Sequence, residues 1–167
     1  LNEQRIHDHP NKQRLEKAAS GRYIAPLFGQ VVGREVCMNL PAEYAFDPDD
    51  IQSHAGMVAN LRDYPDARIA QAARAVIERS ADLTAVVLAA IIKGQNADNF
   101  DERAVTTGIL IEGTLFWKTD GYKERVEQQL RQLIPAHITP QFLHNDLAVQ
   151  TNFIGVGYAT LAMGNRV

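Results

Sequence analysis

Cysteine is nearly absent. Cys37 is the only one in 167 residues, so no disulfide can form within the chain. That fits a reducing compartment. Long apolar runs are missing as well. The longest, Ala85 to Ile92, falls far short of the roughly 20 residues that a membrane-spanning helix needs. No basic stretch leading into an apolar segment opens the chain, so no signal peptide is expected. There is no excess of cations: 17 Lys and Arg stand against 20 Asp and Glu, a formal charge of -3. The bulk electrostatics therefore offer nothing to nucleic acid or to an anionic membrane. With 46% apolar and 22% charged residues, wholesale disorder is excluded. The chain opens on Leu1 rather than on methionine, and the expectation is a piece of a longer protein.

Several chemical signatures are also missing. The full dinucleotide-binding glycine pattern and the Walker A lysine motif are absent, which excludes those two nucleotide-binding classes but not nucleotide binding in general. There is no nucleophile-elbow motif, and Cys37 has no evident catalytic partner. His7-Asp8-His9 has the look of a metal pair, yet no second cluster at ligand spacing accompanies it, and a tail is the expected reading.

The strongest signal present is a stretch from Asp66 to Lys93 without Pro or Gly, in which Ile69, Ala73, Val76, Ile77, Ala81, Thr84, Leu88 and Ile91 trace one face. Asp66 is placed to cap its start and Gly94 to end it. A helix of about 28 residues would run roughly 42 Å. Its first half, with Arg68, Gln71 and Arg74, should face water, and its second half, apolar almost all round, should be buried between layers. Upstream, Leu15, Ala18, Ala19, Tyr23 and Leu27 recur at helical spacing behind Asn11, with a kink or break expected near Ala25 because Pro26 follows. Val31 to Met38 reads as a second helical piece or a short extended stretch. Asn39 to Pro65 reads as loop, with Asp47 a cap for a short helix over Pro48 to Ser53.

The last third alternates strand and helix. Ala104 to Ile111 and Ile138 to His144 read as strands, Gly121 to Ile134 as an amphipathic helix and Gly155 to Met163 as a short final helix. This order predicts an α/β fold, helix-rich with a few parallel strands paired through a helical crossover. Two strands make a poor sheet, so the remainder is expected in a part of the protein upstream of this chain.

Glu112-Gly113-Thr114 ends the first of these strands. Ligands of open α/β sheets bind outside the carboxyl ends of strands, a glycine admits a ligand to the backbone, and a threonine hydroxyl can donate to a phosphate. A plain tight turn is the competing reading. Gly155-Val156-Gly157 opens the last helix, where free N–H groups can meet an anion or small residues can serve close packing. Gln13 and Glu16, on one helical face, could hydrogen-bond the hydroxyls of a sugar or form a solvated Glu-Lys face. Trp117 reads as a packing residue.

These segments resemble a family. Glu16-Lys17-Ala18-Ala19-Ser20-Gly21-Arg22-Tyr23 is similar to the hexokinase segment E-K-x-x-[SG]-G-x-Y. Val76-Ile77-Glu78-Arg79-Ser80-Ala81 resembles V-S-T-R-A-A, and Glu112-Gly113-Thr114-Leu115-Phe116 resembles D-G-[ST]-[LV]-Y. Tyr122-Lys123-Glu124-Arg125 stands where the family often has F-K-E-R, and Ile154-Gly155-Val156-Gly157-Tyr158-Ala159 is similar to S-G-x-G-A-A. The blocks follow family order over nearly the whole chain.

The resemblance implies that residues 1–167 form the C-terminal part of a hexokinase large domain. The fold implied is an actin-like ATPase, ribonuclease-H-like lobe, whose upstream small lobe and first sheet strands belong to the other half of the same polypeptide. The activity implied is transfer of the ATP γ-phosphate to the 6-hydroxyl of glucose or a related hexose, with MgATP and hexose as partners, in cytoplasmic glycolysis. By the same resemblance Gln13 and Glu16 would bind the sugar. Gly21, Arg22, Glu78, Arg79, Ser80, Gly113, Thr114, Ile154, Gly155 and Gly157 would border ATP. Glu78 replaces a threonine of the family segment and Ile154 a hydroxyl residue, which motivates a non-catalytic hexokinase-like sugar sensor as an alternative. An unrelated helix-rich interaction module is the other. The family's D-x-G-G-T and G-T-G-x-N loops and its catalytic aspartate have no counterpart in this sequence, so the isolated chain is expected to be inactive.

Overall fold

A computed structural model describes residues 14–50, 54–97 and 103–144. Helix α1 spans Arg14–Ala19 and α2 spans Gly21–Val32. The break between them falls at Ser20, whose hydroxyl accepts from the Arg22 N–H at 3.3 Å and so caps α2. It does not fall near Ala25. Pro26 is carried inside α2, at the cost of the bond its missing N–H would have donated to the Arg22 carbonyl.

At Gly29 of α2 the Pro48 ring comes so close that an added Cβ would lie 2.6 Å from it. A glycine is therefore required there for packing, although the helical backbone would accept any residue. Gly33 ends α2 and leads into the short α3, Arg34–Met38, the helical alternative for this stretch. Asp47 caps no helix over residues 48–50. Its carboxylate accepts from the Asp49 N–H at 3.0 Å within a turn and pairs with Arg34 at 2.6 and 3.1 Å. The stretch read as loop also holds α4, Ala55–Asn60, continued by a 3-10 turn over Leu61–Asp63.

Helix α5 runs from Ala67 to Gln95. Asp66 caps it as expected, accepting from the Arg68 and Ile69 N–H groups at 2.8 and 3.3 Å. Gly94 lies inside the helix, because the closing contact comes later: both the backbone N–H and the side-chain amide of Asn96 donate to the Ile92 carbonyl. Ala73, Ile77, Ser80, Ala81, Ala85 and Ile92 face the core, and Arg68, Gln71 and Arg74 face water. The second half is not enclosed as expected, since Val86 and Ile91 are 52% and 51% exposed.

Strands β1, Val105–Ile111, and β2, Ile138–His144, pair in parallel with Val105 opposite Ile138 and Ile111 opposite His144. They are joined through α6, Thr114–Lys118, and α7, Tyr122–Leu133, the crossover that the sequence pattern predicts. One sheet face, with Val105, Ile109, Ile138 and Phe142, turns toward the helices. The other carries Leu110 and Leu143, 47% and 42% exposed. Helix α5 packs along α7, and the core gathers Ile24, Phe28, Val58, Leu61, Ile92, Val126 and Leu130. The region predicted as a final helix, Gly155 to Met163, lies outside the described residues.

Candidate functional site

The carboxyl end of β1 opens into a cleft of about 420 Å³. One wall is the α1–α2 junction, Ala19 to Arg22. The opposite wall is Ile111 to Phe116, where β1 passes into α6, and Ala55, Thr84 and Tyr122 complete the lining. Gly113 makes the turn with φ +128°, in a region that side-chain-bearing residues avoid, and no atom lies within 4 Å of where its Cβ would be. The glycine answers a backbone need, and the space where a side chain would stand is open. Trp117 Nε1 donates to the Ile111 carbonyl at 3.0 Å and fastens α6 back onto the strand end, the packing role expected of it.

The α1–α2 wall is clasped from behind by α5. Arg79 donates through Nη1 to the Ala18 carbonyl at 3.0 Å, and Ser80 Oγ donates to the Ala19 carbonyl. These are the terminal carbonyls of α1, which lack partners within their own helix. Ser80 is fully buried, so its hydroxyl must find partners; a second is Tyr122 Oη at 2.9 Å.

Of the expected nucleotide residues, Gly21, Arg22, Gly113 and Thr114 come together in the cleft. Arg79 and Ser80 stand behind its wall. Glu78 turns to a separate hollow of about 290 Å³ on the other side of Tyr122. There its carboxylate meets Arg125 at 3.1 Å, while Arg125 also grips Asp82 bidentately at 2.8 and 2.9 Å. Those carboxylates, Asp82 foremost, raise the Arg125 guanidinium above its ordinary range. Gln13, Ile154, Gly155, Gly157 and the Glu16 side chain lie outside the described residues, as does His7-Asp8-His9.

Reasoning from sequence alone missed the cleft's Ala55, Thr84, Leu115 and Tyr122. Tyr122 carried a signal, a hydroxyl where the family segment has phenylalanine. Cys37 is buried, and desolvation pushes its thiol up to about 11, so it is no nucleophile near neutrality. Asp47 is held below the usual carboxylate range, first by its hydrogen bonds from Arg34. Among the described residues no group of three or more His, Cys, Asp and Glu could hold a metal ion, and no helix is long and apolar enough to cross a membrane.

The geometry thus defines an α/β protein with a helix-capped cleft at the carboxyl end of a parallel strand. Residues 49–163, more than half of the chain, match the family model described as Hexokinase. The chain belongs to the hexokinase family. The match includes Glu78 to Ser80, Gly113, Thr114 and Ile154 to Gly157, whereas Gly21 and Arg22 precede it. No curated protein matches the chain.

Proposed function

We propose that this chain is part of an ATP-dependent hexokinase with the actin-like ATPase fold, and that it supplies sugar contacts and the adenosine side of the ATP site. The observation that carries this reading is the meeting of Ser20-Gly21-Arg22 and Glu112-Gly113-Thr114, distant in sequence, in one cleft at the carboxyl end of β1. That is the place where open α/β sheets bind ligands. Arg22 offers an exposed cation and Thr114 a hydroxyl, two features that suit phosphate and ribose oxygens.

MgATP enters as a substrate whose phosphates carry the cation. Hexose would be held by Gln13 and Glu16, and Ile154, Gly155 and Gly157 would line the adenosine side. The reaction is transfer of the γ-phosphate to the 6-hydroxyl of glucose or a related hexose in the cytoplasm, completed by the upstream half of the polypeptide. The sugar-sensor alternative draws no support from Glu78, because its carboxylate is engaged by Arg125 outside the cleft.

A coupled assay with glucose and MgATP tests the reading. The full-length protein should form hexose 6-phosphate, and the isolated chain should not. Turnover that tracks the purified isolated chain, or none in the full-length protein, would contradict it.

A further inference from the structure

Helix α1 has six residues, too few to hold its shape alone, since isolated helices shorter than about 12 residues are marginal in water. Its C-terminal end is fixed from outside. Two consecutive residues of α5 reach it: Arg79 Nη1 donates to the Ala18 carbonyl at 3.0 Å, and Ser80 Oγ donates to the Ala19 carbonyl. Successive residues of a helix diverge by roughly 100°, so exposed Arg79 approaches from the solvent side and buried Ser80 from the core side. A cation also suits the negative end of the α1 dipole. Ser80 has a further contact in Tyr122, whereas among the described residues Arg79 bonds to α1 alone. Glu16 lies two positions before Ala18, in the same turn of α1. A helix this short tilts as one piece, so the angle set at Ala18 and Ala19 is also the angle at which α1 presents position 16.

We propose that Arg79 is a positioning residue for the sugar site: it touches neither substrate, and by holding the Ala18 carbonyl it sets where α1 presents Glu16 to the hexose hydroxyls. This rests on the sugar reading of α1 and gives Arg79 a role on the sugar side, where the family resemblance puts it beside ATP. The two roles have different signatures. A guanidinium that binds phosphates acts on ATP affinity through its charge. One that braces α1 acts on hexose affinity through a directional bond and leaves ATP affinity alone.

The test is a double-mutant cycle in the full-length protein, read by steady-state kinetics with glucose and ATP varied in turn. Arg79→Met keeps the apolar stem and removes the donor. It should raise the KM for glucose about three- to tenfold, leave the KM for ATP within about twofold, and lower the thermal midpoint by no more than about 3 °C. Arg79→Lys, which keeps a cationic donor on a long stem, should recover part of the loss. Glu16→Ala should raise the glucose KM by itself, and adding Arg79→Met to it should change that KM by less than about twofold, because Arg79 acts through Glu16. Additive losses, an unchanged glucose KM in Arg79→Met, or a rise in the KM for ATP instead, would overturn the positioning role while leaving the sugar reading of α1 standing. An unchanged glucose KM in Glu16→Ala would overturn both.

Discussion

Ser80 Oγ and Tyr122 Oη lie 2.9 Å apart, joining α5 to α7 at the point where α5 also clasps the end of α1. The family segments V-S-T-R-A-A and F-K-E-R carry alanine and phenylalanine at these two positions, so a hydroxyl stands at each and the two meet. Removing one should expose the coupling. Tyr122→Phe is expected to cost about 1 kcal/mol, and Ser80→Ala about 1–3 kcal/mol because the Ala19 carbonyl also loses its donor. Urea denaturation of both variants and the double variant should give a coupling of about 1 kcal/mol; strictly additive losses would show that the contact contributes nothing.

Glu78 should have little bearing on nucleotide affinity despite its charge. A carboxylate facing ATP phosphates would repel them, but Arg125 holds this one at 3.1 Å in a different hollow. Glu78→Thr should therefore leave the KM for ATP within about twofold in the full-length protein, and should shift stability by less than about 1 kcal/mol, as is usual for a half-exposed pair. A KM that drops tenfold would place the carboxylate's effect on the phosphates after all.

Two glycines should respond to alanine for different reasons. Gly29→Ala would gain up to about 1 kcal/mol in helix propensity, yet it drives a methyl group into Pro48 and should be net destabilising by about 1–2 kcal/mol. Gly113→Ala meets no neighbour, but φ +128° strains it by about 1–3 kcal/mol, and relaxing that turn would move Thr114. Thermal unfolding should detect both, and only Gly113→Ala should also raise the KM for ATP.

Alkaline pH should reveal Cys37. Its thiol titrates at about 11 in the fold against an ordinary value of 9.0, because burial disfavours the thiolate. A raised value means that the folded state holds the proton more tightly. The associated stability is present below pH 9.0 and is lost as pH climbs toward about 11. A thiol reagent at pH 8 should label the native chain far more slowly than the denatured one; equal rates would contradict the burial.

The elements that were legible share an uninterrupted local pattern. Asp66 and the Pro-free, Gly-free run behind it specify α5, and β-branched residues around an amphipathic helix specify the β1–β2 pair. What escaped in the fold lies where a breaker residue is tolerated inside a helix or a helix is very short. Pro26 is carried inside α2, whose start Ser20 sets, Gly94 stays helical because Asn96 supplies the closing contact, and α4 is short enough to vanish among prolines and glycines. Within the site, Gly113 and Thr114 announce themselves at a strand end. Thr84 and Tyr122 do not, since only tertiary packing brings α5 and α7 to the cleft. Arg79 and Ser80 sit in a recognisable segment but serve as its backing, a distinction that spacing cannot express.

The central claim is that this chain carries a sugar contact on α1 and a nucleotide contact at the β1–α6 turn, and crossed steady-state kinetics in the full-length protein tests it most directly. Glu16 would make charge-assisted bonds to sugar hydroxyls, worth about 1.5–3 kcal/mol each. Glu16→Ala should then raise the KM for hexose roughly tenfold to a thousandfold while sparing that for ATP, and Thr114→Val should do the reverse to a smaller degree. Unchanged kinetics in both variants, or equal effects on both substrates, would contradict the account.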